Sequence, residues 1–409
     1  MTQRLLNTKN TGRTLIFLAV ILFISACSPS ESTQKNKTAY TATLITRFPF
    51  TVLSGGIVII KVTLDDFPDS LNFILDTGSG GVSLDSGTVE FLRLPKVPSE
   101  RMIRGIGSLR KVSYVTNRTL HMPKLDVPHL DFHINDYELL TSVNGIKIDG
   151  IIGYSFLNRY IVKINYDNSM LEVWNQGTIR YPKRGIILKP VINGIPVVDA
   201  IITDRRSSLS RFYFDTGAGL YFLMSEDFRR DSSILIPGKR IINTQAEGLS
   251  GKNAMQLTIV KELQLDRYKF KKVPTHIFED VYNVTAYPYL GGLIGNDLLR
   301  RFNLTVNYGR KEIHMLPNSH FNEAFDYSYT GLGIYMIEGH VVIEDVLKDS
   351  PGEKAGLMPG DIIIAIDNNI TGNIQTYKNM LQAVGAKLKI LVSRDGKPFM
   401  TNLKVVSIM

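Results

Sequence analysis

The 409-residue sequence has a single cysteine, Cys27, and a single tryptophan. One cysteine excludes an intrachain disulfide. Although the formal net charge is +9, no Lys/Arg block interleaved with aromatic residues occurs, which argues against nucleic-acid binding. The most apolar run, residues 15–25, is too short for a comfortable membrane span, and no later segment is apolar enough to form one.

The N-terminal segment has three basic residues within its first thirteen positions, then the apolar run, then Cys27. This order resembles a bacterial lipoprotein signal. The resemblance implies cleavage before Cys27 and lipid attachment to its sulfur and new amino group. We therefore expect a signal peptide at residues 1–26, the lipidated cysteine and a flexible tether at 27–45, and a lipid-anchored protein of the bacterial cell envelope, on the periplasmic face or the cell surface. The alternative is a plain signal or short anchor with an incidental cysteine.

The middle of the chain contains an internal repeat. Its three blocks are GIVIIKVTL (56–64) against GIPVVDAII (194–202), FILDTGSGGVSL (73–84) against FYFDTGAGLYFL (212–223), and residues 151–174 against 293–316. The copies are offset by 138, 139 and 142 residues, as expected for one unit present twice. Short apolar strand patterns separated by Gly, Asn, Asp and Pro turns predict two β-rich lobes about a pseudo-two-fold axis. A short helix is predicted after each Ile-Gly.

Each copy has an aspartate, Asp76 or Asp215, at the end of an apolar strand, followed by Thr-Gly. Equivalent points of two symmetric lobes meet at the axis, so the two carboxylates can face each other. Such a pair shares a proton, because both members cannot ionise cheaply. The ionised member can take a proton from water while the protonated member donates to a peptide carbonyl. Which aspartate holds the proton stays open from the sequence.

An apolar-apolar-Gly element follows each turn after 75–80 residues, at 151–153 and 293–295. With the two turns, these elements resemble the retropepsin-like aspartic peptidases in their two-lobed, single-chain form. The resemblance implies pseudo-symmetric acid-protease-type β-barrel lobes at residues 46–180 and 181–320. It also implies catalysis by Asp76 and Asp215 with no cofactor and no metal, and a monomer suffices because both halves lie in one chain.

The residues around the two aspartates have predicted supporting roles. They are Thr77, Gly78, Ser79, Thr216, Gly217 and Ala218. The threonines can hydrogen-bond across the axis, and the glycines allow a close backbone approach. Ser79 can offer its aspartate a hydroxyl that Ala218 lacks, so we expect the two carboxylates to be inequivalent.

The same family has a flap, a hairpin that covers the substrate. In both copies a Gly-rich segment lies between the Asp-Thr-Gly turn and the apolar-apolar-Gly element. Their predicted flap residues are Gly105, Ile106 and Gly107 in the first copy and Gly248 and Leu249 in the second. The alternative is that each is an ordinary hairpin.

The sequence changes character after His320. Gly331, Leu332, Gly333 and Ile334 precede a strand-rich stretch with an Ala-Gly-Leu and Gly-Asp run at residues 355–361. Residues 326–409 thereby resemble a PDZ domain of the bacterial protease-associated kind. The resemblance implies that the Gly-Leu-Gly-Ile loop binds the C-terminal carboxylate of a peptide ligand, which adds as a strand. The alternative is a PDZ fold that only packs on the peptidase.

The sequence therefore predicts a mostly β, lipid-anchored aspartic endopeptidase that acts on polypeptides, with a PDZ domain that recruits or positions substrate. The rival prediction is a non-catalytic envelope lipoprotein that binds peptides. A PDZ-bearing serine protease is disfavoured, because no catalytic Ser-His-Asp set is evident.

Overall fold

The computed structural model describes residues 40–105, 108–248 and 251–409. The predicted signal peptide and Cys27 lie outside the described residues. The described part of the chain forms thirty strands and seven short α-helices, which confirms a mostly β protein. None of the helices in these described ranges has the length and apolar character needed to cross a membrane.

The N-terminal lobe begins at the first strand and includes three short helices. Its strands are β1 (Leu44–Pro49), β2 (Thr51–Val52), β3 (Val58–Leu64), β4 (Leu71–Leu75), β5 (Val82–Asp85), β6 (Met102–Gly105), β7 (Ser108–Lys111), β8 (Tyr114–Met122), β9 (Leu125–Asn135), β10 (Gly150–Ile152), β11 (Ile161–Asn165) and β12 (Met170–Trp174). Its helices are α1 (Ser86–Phe91), α2 (Glu138–Asn144) and α3 (Tyr154–Leu157).

The C-terminal lobe repeats this plan. Its strands are β13 (Ile186–Leu188), β14 (Val191–Asn193), β15 (Ile195–Thr203), β16 (Ser207–Asp215), β17 (Phe222–Ser225), β18 (Ile242–Gly248), β19 (Gly251–Leu265), β20 (Tyr268–Phe278), β21 (Gly292–Gly295), β22 (Phe302–Asn307) and β23 (Glu312–Pro317). Its helices are α4 (Glu226–Ser232) and α5 (Asn296–Leu299). The helices predicted after each Ile-Gly are confirmed as α3 and α5.

Each lobe closes into a six-stranded barrel. In the N-terminal lobe the order is β3-β4-β10-β5-β9-β8, and β8 pairs back onto β3. In the C-terminal lobe the order is β15-β16-β21-β17-β20-β19, and β19 pairs back onto β15. Strands that are equivalent in the sequence repeat hold equivalent positions, which confirms two pseudo-symmetric acid-protease-type lobes.

A six-stranded sheet joins the two lobes, in the order β1-β12-β11-β22-β23-β13. At its centre β11 of one lobe runs antiparallel to β22 of the other, with Val162 opposite Val306. One continuous cluster of buried apolar side chains runs through both barrels and this sheet. Burial of this shared core holds the two lobes in one arrangement.

The C-terminal domain has its own apolar core and a five-stranded sheet in the order β25-β26-β27-β28-β29. Its strands are β24 (Ser328–Tyr329), β25 (Leu332–Ile337), β26 (His340–Val346), β27 (Ile362–Ile366), β28 (Lys387–Arg394), β29 (Lys397–Lys404) and β30 (Val406–Ser407), and its helices are α6 (Pro351–Lys354) and α7 (Ile374–Leu381). The arrangement confirms the predicted PDZ fold, with β25 at the edge of the sheet and α7 beside it.

Candidate active site

Each Asp-Thr-Gly turn is braced from behind by the strand that the apolar-apolar-Gly element forms. β10 lies parallel to β4 and antiparallel to β5, and the Ile152 carbonyl accepts the Asp76 N–H at 2.9 Å. In the C-terminal lobe β21 has the same position, with Gly295 opposite Asp215. Because these braces are barrel strands, the backbone of both aspartates is tied to the rigid part of its lobe.

The threonines of the two turns join the lobes through reciprocal hydrogen bonds. The Thr77 N–H donates to Thr216 Oγ1 at 3.0 Å, and the Thr216 N–H donates to Thr77 Oγ1 at 3.0 Å. Each hydroxyl also donates across the axis, to the carbonyls of Phe214 at 2.7 Å and Leu75 at 3.2 Å respectively. Both threonines are fully buried, so water does not compete for these bonds. The network fixes the spacing between the turns.

Each carboxylate lies against the glycine of the opposite turn. A Cβ built on Gly78 would lie 2.4 Å from Cγ of Asp215, and one on Gly217 would lie 2.3 Å from Cγ of Asp76. No side chain fits in either position, so glycine is required by close approach. The structure therefore brings the two predicted catalytic residues together, each beside the other's turn.

The carboxyl groups of Asp76 and Asp215 both have raised pKa values. Burial raises the pKa of both carboxyls, because loss of water disfavours the charged form. The pKa of Asp76 is raised well above its usual range, first by burial, then by the negative charge of Asp215 and by the hydrogen bond between the two side chains. Accepting that bond acts in the opposite direction on the pKa of Asp215. Burial and the repulsion between the two negative charges therefore favour a state in which the pair shares one proton.

Backbone groups of the turns complete the environment of the dyad. Asp76 Oδ1 accepts the Gly78 N–H at 2.6 Å, and Asp215 Oδ1 accepts the N–H groups of Gly217 at 2.8 Å and Ala218 at 3.1 Å. Asp76 is 8% exposed and Asp215 is half-buried. These bonds tie each carboxylate to the backbone of its own turn.

Ser79 does not supply the predicted hydroxyl to the dyad. Its Oγ donates to the carbonyl of Gly81 at 3.4 Å. The origin that the sequence suggested for inequivalent carboxylates is therefore wrong. The two carboxylates differ instead in their backbone hydrogen bonds, since Asp215 accepts two N–H groups of its turn and Asp76 accepts one. The equivalent Ala218 acts through its backbone, since its carbonyl accepts the Asn296 N–H at 2.7 Å.

Asn296 is a supporting residue that sequence reasoning missed. Its fully buried side chain accepts the hydroxyl of Tyr166 at 3.0 Å and donates to the Gly56 carbonyl at 2.5 Å. It thereby ties the turn that carries Asp215 to the N-terminal lobe. Asn296 directly follows Gly295, and this position could have drawn attention to it. In the first copy the equivalent residue is Tyr154, so a comparison of the two repeats does not single out the asparagine.

A cavity of about 1100 Å³ opens over the dyad. The apolar side chains of Ile57, Ile74, Leu223 and Leu293 contribute to its walls. Its volume is at the upper end for small-molecule pockets and suits a longer, extended ligand such as a polypeptide. In the described part of the chain, no group of three or more His, Cys, Asp or Glu residues is positioned to hold a metal ion.

The first predicted flap is a separate two-stranded hairpin, β6–β7. The side chain of Arg104 lines the cavity and donates to the Asn283 carbonyl of the opposite lobe at 3.0 Å. Gly105 ends β6 near the tip of the hairpin, whereas Ile106 and Gly107 lie outside the described residues. The hairpin therefore reaches across the cleft from one lobe to the other.

The second predicted flap, β18–β19, has different surroundings. Gly248 ends β18, and Leu249 lies outside the described residues. Below the tip, Gln245 Nε2 donates to Asp345 of the C-terminal domain at 2.6 Å, and Lys252 Nζ lies 2.9 Å from the same carboxylate. This hairpin is therefore packed against the PDZ domain.

The predicted PDZ carboxylate loop, Gly331 to Ile334, also lines the cavity above the dyad. The loop begins with Gly331 at φ +70°, and its next three residues begin the edge strand β25. The structure therefore brings the two predicted functional sites, the dyad and the PDZ loop, to one cavity.

Comparison with protein families agrees with this geometry. Residues 60–156 match the model of a family described as aspartyl protease, and residues 342–394 match a PDZ-domain model. No curated protein matches the chain. The chain therefore contains an aspartyl protease domain and a C-terminal PDZ domain. The first match includes Asp76 and ends before Asp215, so the role of the second lobe depends on the repeat and on the geometry of the site.

Proposed function

We propose that the chain is an aspartic endopeptidase in which Asp76 and Asp215 activate water to hydrolyse peptide bonds. The observation that carries the proposal is the pair of carboxyl groups, each against the glycine of the opposite turn, where two symmetric turns meet beside a large cavity. We further propose that residues 46–180 and 181–320 act as its catalytic lobes, and that the PDZ domain of residues 326–409 recruits substrate.

The proposed reaction uses one proton shared by the dyad. Ionised Asp215 takes a proton from water, whose oxygen attacks the peptide carbonyl carbon while Asp76 donates its proton to the carbonyl oxygen. The tetrahedral intermediate then collapses: Asp76 takes a proton from one of its hydroxyls, the C–N bond breaks, and the leaving nitrogen receives the proton held by Asp215, which restores the dyad. The mechanism needs no covalent intermediate with the protein.

The direct test is digestion of a diverse peptide pool across pH 4–8 by the wild type, Asp76→Asn and Asp215→Asn. We expect cleavage by the wild type and a loss of about 10²–10⁴-fold in rate for either variant, because each removes a proton donor or acceptor. Asp66→Asn, which changes an exposed carboxylate on a turn, is the matched control and should retain activity.

The pH profile supplies a second readout. The rate should fall in acid as the base of the pair becomes protonated, and in alkali as Asp76 loses its proton. Because burial raises both pKa values, both limbs should lie above the pKa of a free carboxyl, about 3.9. Folded protein that cleaves nothing at any pH would favour the rival function, a peptide-binding envelope lipoprotein.

We also propose a lipid anchor on Cys27 that holds the protein at the bacterial cell envelope. The support is the position of the chain's single cysteine directly after an apolar run with a basic start. Cys27→Ala should move the protein from the membrane fraction to the soluble fraction, and mass spectrometry of the wild type should find acyl chains on the residue. An unmodified Cys27 in membrane-associated protein would contradict the proposal.

A further inference from the structure

The described chain begins beside a segment that connects the two lobes, residues 175–189. The Thr178 N–H donates to the Tyr40 carbonyl at 2.8 Å, and Thr41 pairs with Thr178 in an isolated β-bridge. A tether from a lipidated Cys27 therefore meets the folded part of the chain at this segment. Cys27 and Tyr40 are thirteen positions apart, and a fully extended chain of that length reaches at most about 45 Å. The lipid anchor proposed above thus keeps the segment close to a membrane surface.

Segment 175–189 is basic. It contains Arg180, Lys183, Arg184 and Lys189 and neither aspartate nor glutamate. All four basic residues are exposed. A short run of like charges is ordinarily a solvated surface, so the surroundings of the segment decide whether it does more.

Two other stretches of the chain add cations to the same surface. A Cβ built on Gly309 would lie 2.3 Å from Oε1 of Gln176, so the turn between β22 and β23 packs directly on the segment. This turn carries Arg310 and Lys311, which are both exposed. From the turn between β19 and β20, Arg267 donates to a carbonyl of the segment at 2.6 Å. The four basic residues of the segment and these three together form what we call the basic face.

The two turns also carry carboxylates, Glu312 and Asp266. Glu312 is 5% exposed and lies 2.5 Å from Lys189 Nζ and 3.3 Å from Arg310 Nε. Asp266 is exposed beside Arg267. Seven basic residues against these two acidic ones leave an excess of five positive charges. An anionic partner therefore meets uncompensated positive charge at this surface.

Exposed apolar side chains lie beside the basic residues. Tyr40, where the described chain begins, is 80% exposed, and Ile187 of β13 is 43% exposed. Basic residues combined with a tyrosine and an aliphatic side chain are typical of surfaces that rest in the headgroup region of a bilayer. Among the described residues, the lining of the cavity over the dyad includes none of the seven basic residues, so the basic face and the cleft are separate surfaces.

We propose that the basic face docks on the anionic phospholipid headgroups of the membrane that holds the lipid anchor. A lipid on Cys27 fixes one point of the chain, whereas docking of the basic face fixes the orientation of the folded part, with a surface other than the cleft against the bilayer. Attraction to headgroups acts within a Debye length, about 8 Å at physiological ionic strength. The position of the face where the tether enters favours a membrane over other polyanions. The proposal adds to the lipid anchor proposed above, and its test does not require lipidation.

The test uses the chain from residue 28 onward, which lacks Cys27 but keeps every residue that the structure describes. It is sedimented with vesicles of phosphatidylcholine alone and with vesicles that also contain phosphatidylglycerol, an anionic lipid. We expect the chain to sediment with the anionic vesicles only. High salt should release it, because salt screens the attraction between surface charges. Binding to neither kind of vesicle, equal binding to both, or binding that salt does not weaken would overturn the proposal.

Charge reversal locates the binding surface. Arg180→Glu combined with Lys183→Glu changes two exposed residues of the basic face. Each Lys or Arg near an anionic surface strengthens binding by about fivefold, so this double variant should bind the anionic vesicles at least about 25-fold more weakly. Lys397→Glu combined with Lys404→Glu is the matched control, because it changes the net charge equally at exposed residues of β29, an edge strand of the PDZ sheet. The control should bind as the wild type does, and equal losses in the two double variants would show that net charge alone governs binding.

The vesicle assay is independent of the lipid anchor and of the peptidase function. It measures neither acylation of Cys27 nor peptide cleavage, so failure of either proposal leaves its result interpretable, and its own failure leaves both standing. Far-UV circular dichroism verifies that the double variants are folded. If the first one is not, Lys183→Gln decides in its place and should bind about fivefold more weakly than the wild type. Unchanged binding of a folded variant would overturn the proposal.

Discussion

At the scale of single residues, the close approach of the two aspartate carboxylates depends on two glycines. Gly78 and Gly217 leave the space that the opposite carboxylate occupies, with only 2.4 and 2.3 Å between a hypothetical Cβ and the carboxylate carbon. Desolvation and proton sharing follow from that closeness. The glycine of each Asp-Thr-Gly turn is therefore needed because the carboxylate of the opposite turn packs against it, in addition to any need for glycine in the backbone of its own turn.

We expect Gly78→Ala and Gly217→Ala to lower kcat by at least about 100-fold, since a methyl group there must displace a carboxylate by on the order of 1 Å. Steady-state kinetics on a cleaved peptide measures this loss. Gly80→Ala is the matched control in the same turn, because a Cβ at Gly80 has no atom within 4 Å and its activity should be retained. Full activity in both Gly78→Ala and Gly217→Ala would show that the carboxylates do not work at this distance.

Thr216 carries a second prediction at this scale. Thr216→Val keeps the shape of the side chain but removes the hydroxyl, which orphans the Thr77 N–H and the Leu75 carbonyl in a fully buried position. Each orphaned group costs about 1–3 kcal/mol, so the free energy of unfolding should fall by at least about 2 kcal/mol. Urea unfolding measures the change, and Thr216→Ser, which keeps the hydroxyl, should lose clearly less. Equal losses in the two variants would contradict a role for the cross-lobe bonds.

At the scale of elements, equivalent pieces of the two repeats have acquired different roles. The hairpin β6–β7 reaches across the cleft to Asn283, whereas its counterpart β18–β19 is held by Asp345 of the PDZ domain. Helix α2, between β9 and β10, packs against the end of β25 and against α7 of the PDZ domain. Of the two hairpins, β6–β7 is the one that bonds to the opposite lobe across the cleft.

Gly145, which follows α2, allows the contact between this helix and the PDZ domain. It has φ +69°, and a Cβ would lie 2.3 Å from Cγ2 of Ile374. We expect Gly145→Ala to increase hydrogen exchange in α2 and α7. Gly339→Ala has a similar positive φ of +80° but no atom within 4 Å, so it reproduces the backbone strain, about 1–2 kcal/mol, without the clash. Equal exchange in α7 for both variants would rule out a role for this contact.

At the scale of the whole molecule, the dyad should make the stability of the chain depend on pH. Burial raises the pKa of both aspartates, so the folded state holds protons that the unfolded chain releases above about pH 3.9. The free energy of unfolding therefore falls as pH rises from about 4 through the folded-state pKa values. We therefore expect the aspartate pair to destabilise the protein at neutral pH.

Asp76→Asn should therefore unfold at higher urea concentration than the wild type at neutral pH, and the difference should shrink toward pH 4. Denaturation series at several pH values measure it, with Asp66→Asn as the exposed control. A stability difference that does not vary with pH would mean that folding does not raise the pKa of Asp76.

The sequence by itself determined the repeated lobes and the meeting of Asp76 with Asp215. Strand patterns and turn residues are local signals, and a repeat with nearly constant offset carries them into a symmetric pair of barrels. The same repeat identified the two apolar-apolar-Gly elements that contain Gly153 and Gly295. These features follow from backbone geometry, which short stretches of sequence encode well.

The tertiary structure alone decided how these pieces contact each other across long sequence distances. The bonds of Asn296 and the raised pKa values of the two aspartates depend on atoms brought together from both lobes. The position of the Gly331–Ile334 loop at the cavity over the dyad depends on contacts such as that of Ser142 with Met336, which lie 194 residues apart. No local pattern encodes such contacts, because they form only when separately folded surfaces pack together.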